Sequence, residues 1–530
     1  MSKGTSFCTY KMCLKSKYVH FLLAFFRLQS YNTERKGGYI PMKKLLCLLL
    51  TAALGIGVCA CGKAGETAGA QSAGSAFEAG KLYAGFGRAD ISPDNPTPLG
   101  GYGQAQNRMH GVVLDKLYAT CIAFTDGDET FLLFSADAVR SNDAWTETVR
   151  TEMNKLYGIP AGNVQIVSTH THAAPETNSN MAVVTGEYTK IYTEGMIAAA
   201  KQAMEDRSEV KMYQGSTQTE NLTFVRHILQ NDGTVAGPNF GRWASGNKDY
   251  VVEGDREMLL VKLDRVDESK KDILMMNFQA HPTFTGGSDK TDVSADYVGV
   301  CRSKLEEETG MHFAYFLGAC GNQTPTSYFP KDNNTMPYAD QLSNSERTYI
   351  SYGEALAYYA LDLLPTLEEL PGAGIKTTQR TVTVNTNKDL DATRLTDAQA
   401  VVDEWEAKNR DAGNALAQKL GFDSVYEASG LLGQTELEDS RDIVVHATRI
   451  GGLNFVNAPY EMFSTNSLYI KDNAPGAFTM VFTQSNGAWG YITDMKAHEY
   501  KCYENFGRGF APGSGELLVE NMVEMLSEVQ

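Results

Sequence analysis

Cysteine is scarce over most of this chain. Five of its nine cysteines (Cys8, Cys13, Cys47, Cys59, Cys61) precede Gly62, so only Cys121, Cys301, Cys320 and Cys502 serve the remainder of the 530 residues. No C-x-x-C pair occurs, which argues against both a disulfide-built scaffold and a thiolate zinc site. The four remaining thiols are expected as buried small hydrophobes. Positive charge is thin as well. Nine of the 47 Lys and Arg residues fall within the first 61 positions, against one acid, Glu34; from Gly62 onward 38 basic residues face 63 acidic ones, a balance of −25. Such a surface repels phosphate backbones and anionic headgroups, so nucleic acid and electrostatic membrane attachment are not expected. The strongly apolar stretch before Cys61 is too short and too early for an ordinary transmembrane helix. A charged content of 21% with 10% aromatics does not fit a disordered chain.

What is present begins with an export pattern. Residues 42–61 join two lysines (Lys43, Lys44), an apolar run and a small-residue end, the makeup of a secretory signal. Val58-Cys59-Ala60-Cys61-Gly62 resembles a bacterial lipobox and places a lipid on Cys61, which makes the mature protein a cell-surface or periplasmic lipoprotein. The Gly/Ala/Ser/Glu-rich residues 62–80 read as a flexible tether. Residues 1–41 precede the signal, and translation is expected to start at Met42.

From residue 81 to 530 the sequence shows no repeat and no low-complexity tract. Apolar β-rich runs alternate with helical periodicity, which predicts a mixed α/β domain (α+β in detail) with a central, largely buried sheet flanked by helices. Helices are expected over 143–157, 188–206, 298–309, 345–364, 397–420 and 514–529. Buried strands are expected over 163–168, 273–278, 313–317, 453–457 and 479–482. Each strand runs into a polar loop: Thr169-His170-Thr171-His172, His281-Pro282-Thr283, Gly321-Asn322-Gln323-Thr324-Pro325, Pro459-Tyr460-Glu461, and Trp489-Gly490-Tyr491. Ligands gather at the carboxyl ends of strands in open α/β sheets, so these five loops are expected to converge.

Among nine histidines, His20, His110, His312 and His498 suggest no role, and His227 and His446 are ambiguous. His170, His172 and His281 follow apolar runs, and residues 170 and 172 would share a face of an extended segment. Neutral imidazoles with a carboxylate and an open position suit catalytic zinc, which makes a nucleophile of water near neutral pH. On spacing alone, two histidines at i, i+2 are more often a satisfied structural pair.

Gly85-Phe86-Gly87-Arg88-Ala89-Asp90-Ile91-Ser92-Pro93, followed by Leu99-Gly100-Gly101-Tyr102-Gly103, resembles the opening of the neutral/alkaline non-lysosomal ceramidase family. The motifs T-H-T-H-x-x-P at Thr169–Pro175, H-P-T at His281, G-N-Q-T-P at Gly321–Pro325, and Y-I-T-x(9)-Y-E from Tyr491 to Glu504 follow in that family's order. The resemblance implies an amide hydrolase with one catalytic Zn2+, held by His170, His281, Glu461 and Tyr491, and a lipid amide or other small-molecule substrate. It further implies His172, Thr324 and Tyr503 as catalytic groups and Arg226 as a substrate contact. His172 and Tyr503 would donate to the developing oxyanion. Blander readings make Glu461 a helix-end decoration, Tyr491 and Tyr503 core aromatics, and Arg226 an ion-pair partner.

Two departures stand out. Thr324 takes the place of a family serine, which favours attack by zinc-activated water. The chain also stops soon after Tyr503, so the family's C-terminal β-sandwich is not expected. The function read from sequence is cleavage of an N-acyl amide such as ceramide. The alternatives are a zinc hydrolase of another amide or ester and a ligand-binding lipoprotein without catalysis.

Overall fold

Period-two alternation of apolar residues builds two sheets that share a core. The computed structural model describes residues 77–530 except 103–107, 178–181, 238–248, 288, 327–334, 345, 389–390, 477, 501 and 506–508, and omits the side chains of 182–185 and Tyr503. The expected start at Met42, the signal and Cys61 therefore lie outside the described residues, as does most of the expected tether.

The larger sheet contains β1 (Tyr83–Asp90), β2 (Tyr118–Thr125), β3 (Thr130–Ala136), β4 (Val164–Ser168), β5 (Ser208–Gln218), β6 (Glu257–Arg265), β7 (Ile273–Phe278) and β8 (His312–Leu317). Their spatial order is β8-β7-β6-β5-β1-β2-β3-β4. Pairing is antiparallel except for β3/β4 and β7/β8. The smaller sheet runs β9 (Ile375–Asn385), β10 (Ser440–Ile450), β11 (Leu453–Asn457) and β12 (Thr479–Phe482), with β11/β12 parallel.

Side-chain alternation decides the layers. On β3, Leu132, Phe134 and Ala136 meet helices α1 (Asp143–Tyr157) and α2 (Ala182–Glu205), whereas Phe131 and Leu133 turn to the smaller sheet. On β7, Leu274, Met276 and Phe278 meet α3 (Asp296–Thr309) and α4 (Tyr349–Leu363), whereas Ile273 and Met275 point the other way. Phe455, Met480 and Phe482 complete the core between the sheets. The smaller sheet's outer face is covered by helices at Ser464–Asn473 and Ser514–Glu528. The result is four layers, helix–sheet–sheet–helix. Cys121, Cys301, Cys320 and Cys502 are free and buried, as their scarcity suggested. Among the described residues, no helix is long and apolar enough to cross a membrane.

The expected helices largely occur, with one instructive difference. The single helix expected over 397–420 is α5 (Ala392–Ala407) and α6 (Arg410–Lys419), joined to a third, α7 (Val425–Gln434). Lys408 leaves helical geometry, and the Asn409 side chain caps α6 by accepting from the Ala412 N–H. A side chain at Gly413 would collide with Val425 and Trp405, so glycine permits the three helices to close on their own small core. They form an insertion within the β9/β10 hairpin, two strands whose alternation the sequence reading overlooked.

Helix α2 lies almost on the backbone of β1. A Cβ at Gly87 would sit 2.0 Å from the Ala199 carbonyl oxygen, and one at Gly85 equally close to that of Ala203. Gly87→Ala is therefore expected to force α2 away from the sheet at a cost of about 1–3 kcal/mol. The check is a lowered urea midpoint relative to the native chain.

Candidate metal centre

The three parallel strand pairs of the two large sheets end at one place, and their loops are tied to one another through the main chain. Ser168 donates its N–H to the Gln484 carbonyl (3.1 Å), Thr483 to Leu317 (3.1 Å), Gly321 to Met462 (2.7 Å) and His172 to Pro282 (3.0 Å). Two-residue bridges add to this, Glu461–Met462 pairing with Tyr491–Ile492 and Gln323–Thr324 with Phe224–Val225. The five loops singled out from sequence thus meet.

His170 leaves β4 with φ of 65°, a left-handed conformation unusual for a residue other than glycine. Its backbone N–H donates to Ala138 (2.9 Å) and its Nδ1 to the carbonyl of Val139. The turn, not an extended segment, brings His170 and His172 together, with 3.1 Å between their Nε2 atoms. His281 is held by the Gln323 carbonyl through both its backbone N–H (3.2 Å) and Nδ1 (3.1 Å). A carbonyl only accepts, so both Nδ1 atoms carry hydrogen, and each ring turns its Nε2 inward. Those nitrogens face Glu461 Oε2, at 3.4 Å from His170 and 2.9 Å from His281.

Electrostatics reinforce the arrangement. Burial, with His170 and His281 nearby, holds the His172 pKa well below the usual imidazole range. Burial, followed by the Arg226 charge, lowers that of His281. Burial opposes ionisation of Glu461, yet the two facing imidazoles hold its carboxyl well below the usual carboxylate range. The two Nε2 atoms and the Glu461 carboxylate oxygen thus converge on one point. His172 Nδ1 is buried without a hydrogen-bond partner. The ligand atoms of His170, His172 and His281 all lie within 4.8 Å of one another. This donor set of imidazole nitrogen and carboxylate oxygen fits zinc.

Tyr491 stands opposite Glu461 in the parallel bridge, and its hydroxyl lies 3.4 Å from Arg226 Nη2. Arg226 is buried, with Nε and Nη2 on Glu504 Oε1 at 3.1 and 2.8 Å. Thr324 extends the segment whose Gln323 carbonyl holds His281, and its hydroxyl meets that of Thr326 at 3.3 Å. The Tyr503 side chain lies outside the described residues.

Sequence reasoning missed two groups. Arg108 is 2% exposed and donates to the carbonyls of Gly100 (2.7 Å), His172 (3.0 Å) and Lys290 (3.1 Å), which locks the His172 loop. Glu504, the last letter of the Y-E motif, is fully buried beneath Arg226. A cation and an acid buried in a long acidic chain leave no signal of burial in composition.

Residues 82–323 match the model of the family described as neutral/alkaline non-lysosomal ceramidase, N-terminal. Over this stretch the chain resembles that family. The crystal structure of neutral ceramidase from Pseudomonas aeruginosa is similar at TM-score 0.61 and 15% identity, over 85% of this chain and 74% of that one. A ceramidase complexed with C2 is similar at TM-score 0.61 and 16% identity, over 84% of this chain and 75% of that one. No curated protein matches the sequence. At these identities the structures establish the shared fold, and the family match supports a ceramidase-like hydrolase.

His446 belongs elsewhere, on β10 within the smaller sheet, where burial and then Arg150 depress its pKa to about 3. Its folded value lies below the unfolded one, so its contribution to stability is complete above about pH 6.5 and is lost as pH falls toward 3. Between those limits the loss is about 1.4 kcal/mol per pH unit for one such group. His446→Gln is expected to flatten the acid limb of unfolding free energy against pH; an unchanged slope would contradict a neutral buried imidazole.

Proposed function

We propose that the protein hydrolyses an N-acyl amide of the ceramide class, with one zinc ion held by His170, His281, Glu461 and Tyr491. The observation that carries this reading is the meeting of two carbonyl-anchored imidazoles on one buried carboxylate. The family match over residues 82–323 supports it, as does the fold shared with a ceramidase complexed with C2. Bound there, zinc supplies Lewis acidity and a water reactive near neutral pH.

The protein's own groups then have separable duties. The His170 Nε2 is bare, so the hydrogen in the 3.1 Å contact belongs to His172 Nε2. That N–H is the donor for the amide oxygen as it gains charge, and a neutral ring serves because a donor, not a charge, is required. Arg108 holds the carbonyl of His172, so the donor is fixed before substrate arrives. The Thr324 hydroxyl and, from the family resemblance, that of Tyr503 are assigned to the substrate. The converged imidazole nitrogens and carboxylate oxygen keep the site ready for a cation without rearrangement. Export with a lipid on Cys61 completes the proposal, and the mass of the mature N-terminus reads it directly.

The test is release of fatty acid from a short-chain fluorescent ceramide by the purified protein. Turnover is expected with zinc, falling to background after chelation and returning when zinc is restored. His170→Ala is expected to lose both bound zinc and activity while remaining folded by circular dichroism. An active, metal-free His170→Ala protein would reject the ligand assignment. Turnover of other acyl amides with none of ceramide would keep the chemistry and move the substrate.

A further inference from the structure

Glu504 is a buried carboxylate near the centre to which the proposed function gives no part. Its side chain is inaccessible to solvent. Oε1 accepts from Arg226 Nε (3.1 Å), Arg226 Nη2 (2.8 Å) and His227 Nε2 (3.1 Å). His227 in turn meets the Tyr500 hydroxyl through Nδ1 at 2.8 Å. The carboxylate accepts, so His227 carries its hydrogen on Nε2 and receives the Tyr500 O–H on Nδ1. Burial works against the charge on Glu504, but His227 and Arg226 outweigh it and hold the pKa at about 2.

His227, Cys502 and Glu504 lie close enough to suggest a second metal site. Two facts decide against it. The Arg226 guanidinium already occupies the cation's place on Oε1, and burial pushes the Cys502 thiol well above its ordinary value. Arginine is the cation of this cluster.

That guanidinium has a second contact. Nη2 reaches the Tyr491 hydroxyl at 3.4 Å, and the group stands 5.7 Å from the centre of the Tyr491 ring. Tyr491 is directly opposite Glu461 in the parallel bridge. A rigid route therefore runs from Glu504 through Arg226 to Tyr491 beside Glu461. Arg226 enters it with its backbone N–H fixed on the Asn322 carbonyl (2.9 Å), and Asn322 is itself tied to Ser464.

We propose that Glu504 is the positioning residue of the metal centre: it holds the Arg226 fork against Tyr491 and thereby fixes that tyrosine for the cation shared with His170, His281 and Glu461. The inference rests on the zinc reading above and adds a residue to it. It also assigns Arg226 a duty inside the protein, since two of its donors are committed to Glu504. Partners one step removed from a metal ligand commonly change metal affinity by about 10–100-fold when removed.

The test is zinc affinity of the full chain, measured by competition with a chromophoric chelator. Glu504→Gln keeps the shape and removes the charge, and is expected to weaken zinc by about 10–100-fold. In a Tyr491→Phe background the same change is expected to add little, because the group being positioned is gone. Arg265→Gln breaks a distant buried ion pair with Asp206 and is expected to lower the melting temperature while leaving zinc affinity unchanged. Native affinity in Glu504→Gln, or an equal loss with and without Tyr491, overturns the proposal. Should Glu504→Gln fail to fold, Arg226→Lys carries the same test, since lysine keeps the charge and loses the fork. A native chain that takes up no zinc defeats the functional reading instead. Glu504 is then judged in the metal-free protein by melting temperatures of the two single variants and their double. Additive shifts overturn the positioning role, and non-additive shifts sustain it.

Discussion

One buried carboxylate governs the centre of this protein. Glu461 is largely buried, its carboxyl held well below the usual range by His170 and His281, whose Nδ1 hydrogens are committed to backbone carbonyls. The three side chains converge, each presenting a ligand atom to one point. A largely buried carboxylate is costly unless its surroundings answer the charge. The left-handed turn at His170, the anchored Nδ1 atoms and the Arg108 clamp all keep these atoms converged.

The fold creates this convergence through strand direction. Only three pairs among the described residues of the two large sheets are parallel, β3/β4, β7/β8 and β11/β12, and each leads into the centre. Two come from one sheet and the third from the other, so the candidate centre spans the seam between sheets and depends on the core formed by Phe131, Met275, Phe455 and Phe482. A second carboxylate, Glu504, is fully buried with its charge answered by Arg226. The two acids differ in their partners: a guanidinium for Glu504, and two imidazoles for Glu461.

The sequence disclosed the five strands and their loops because buried strands are short, apolar and bounded by turn residues. All five expected strands begin and end within one residue of those observed, and Ile273–Phe278, Leu453–Asn457 and Thr479–Phe482 agree at both ends. The β9/β10 hairpin was missed because its strands alternate with polar residues, as in Thr381-Val382-Thr383-Val384, and are separated by three helices. The ligand candidates were legible only because motifs occurred in a recognisable order. Tyr491 has no intrinsic mark of a metal ligand, and Glu504 has none of burial. Their significance is a matter of neighbours, such as Glu461 across a bridge and Arg226 above a carboxylate, and linear sequence does not contain neighbours 30 to 278 residues away.

The spread of these donors also sets an order of events. His170 and His281 come from strands of the larger sheet, whereas Glu461 and Tyr491 arrive with β11 and β12. A nascent or partly folded chain holds at most the two imidazoles, an ordinary weak chelate, until the smaller sheet docks. If the proposed zinc binds, its uptake is a late event in maturation, coupled to the closing of the core between the sheets. A variant that loosens that aromatic core would then emerge deficient in metal, although every proposed ligand in its sequence were intact.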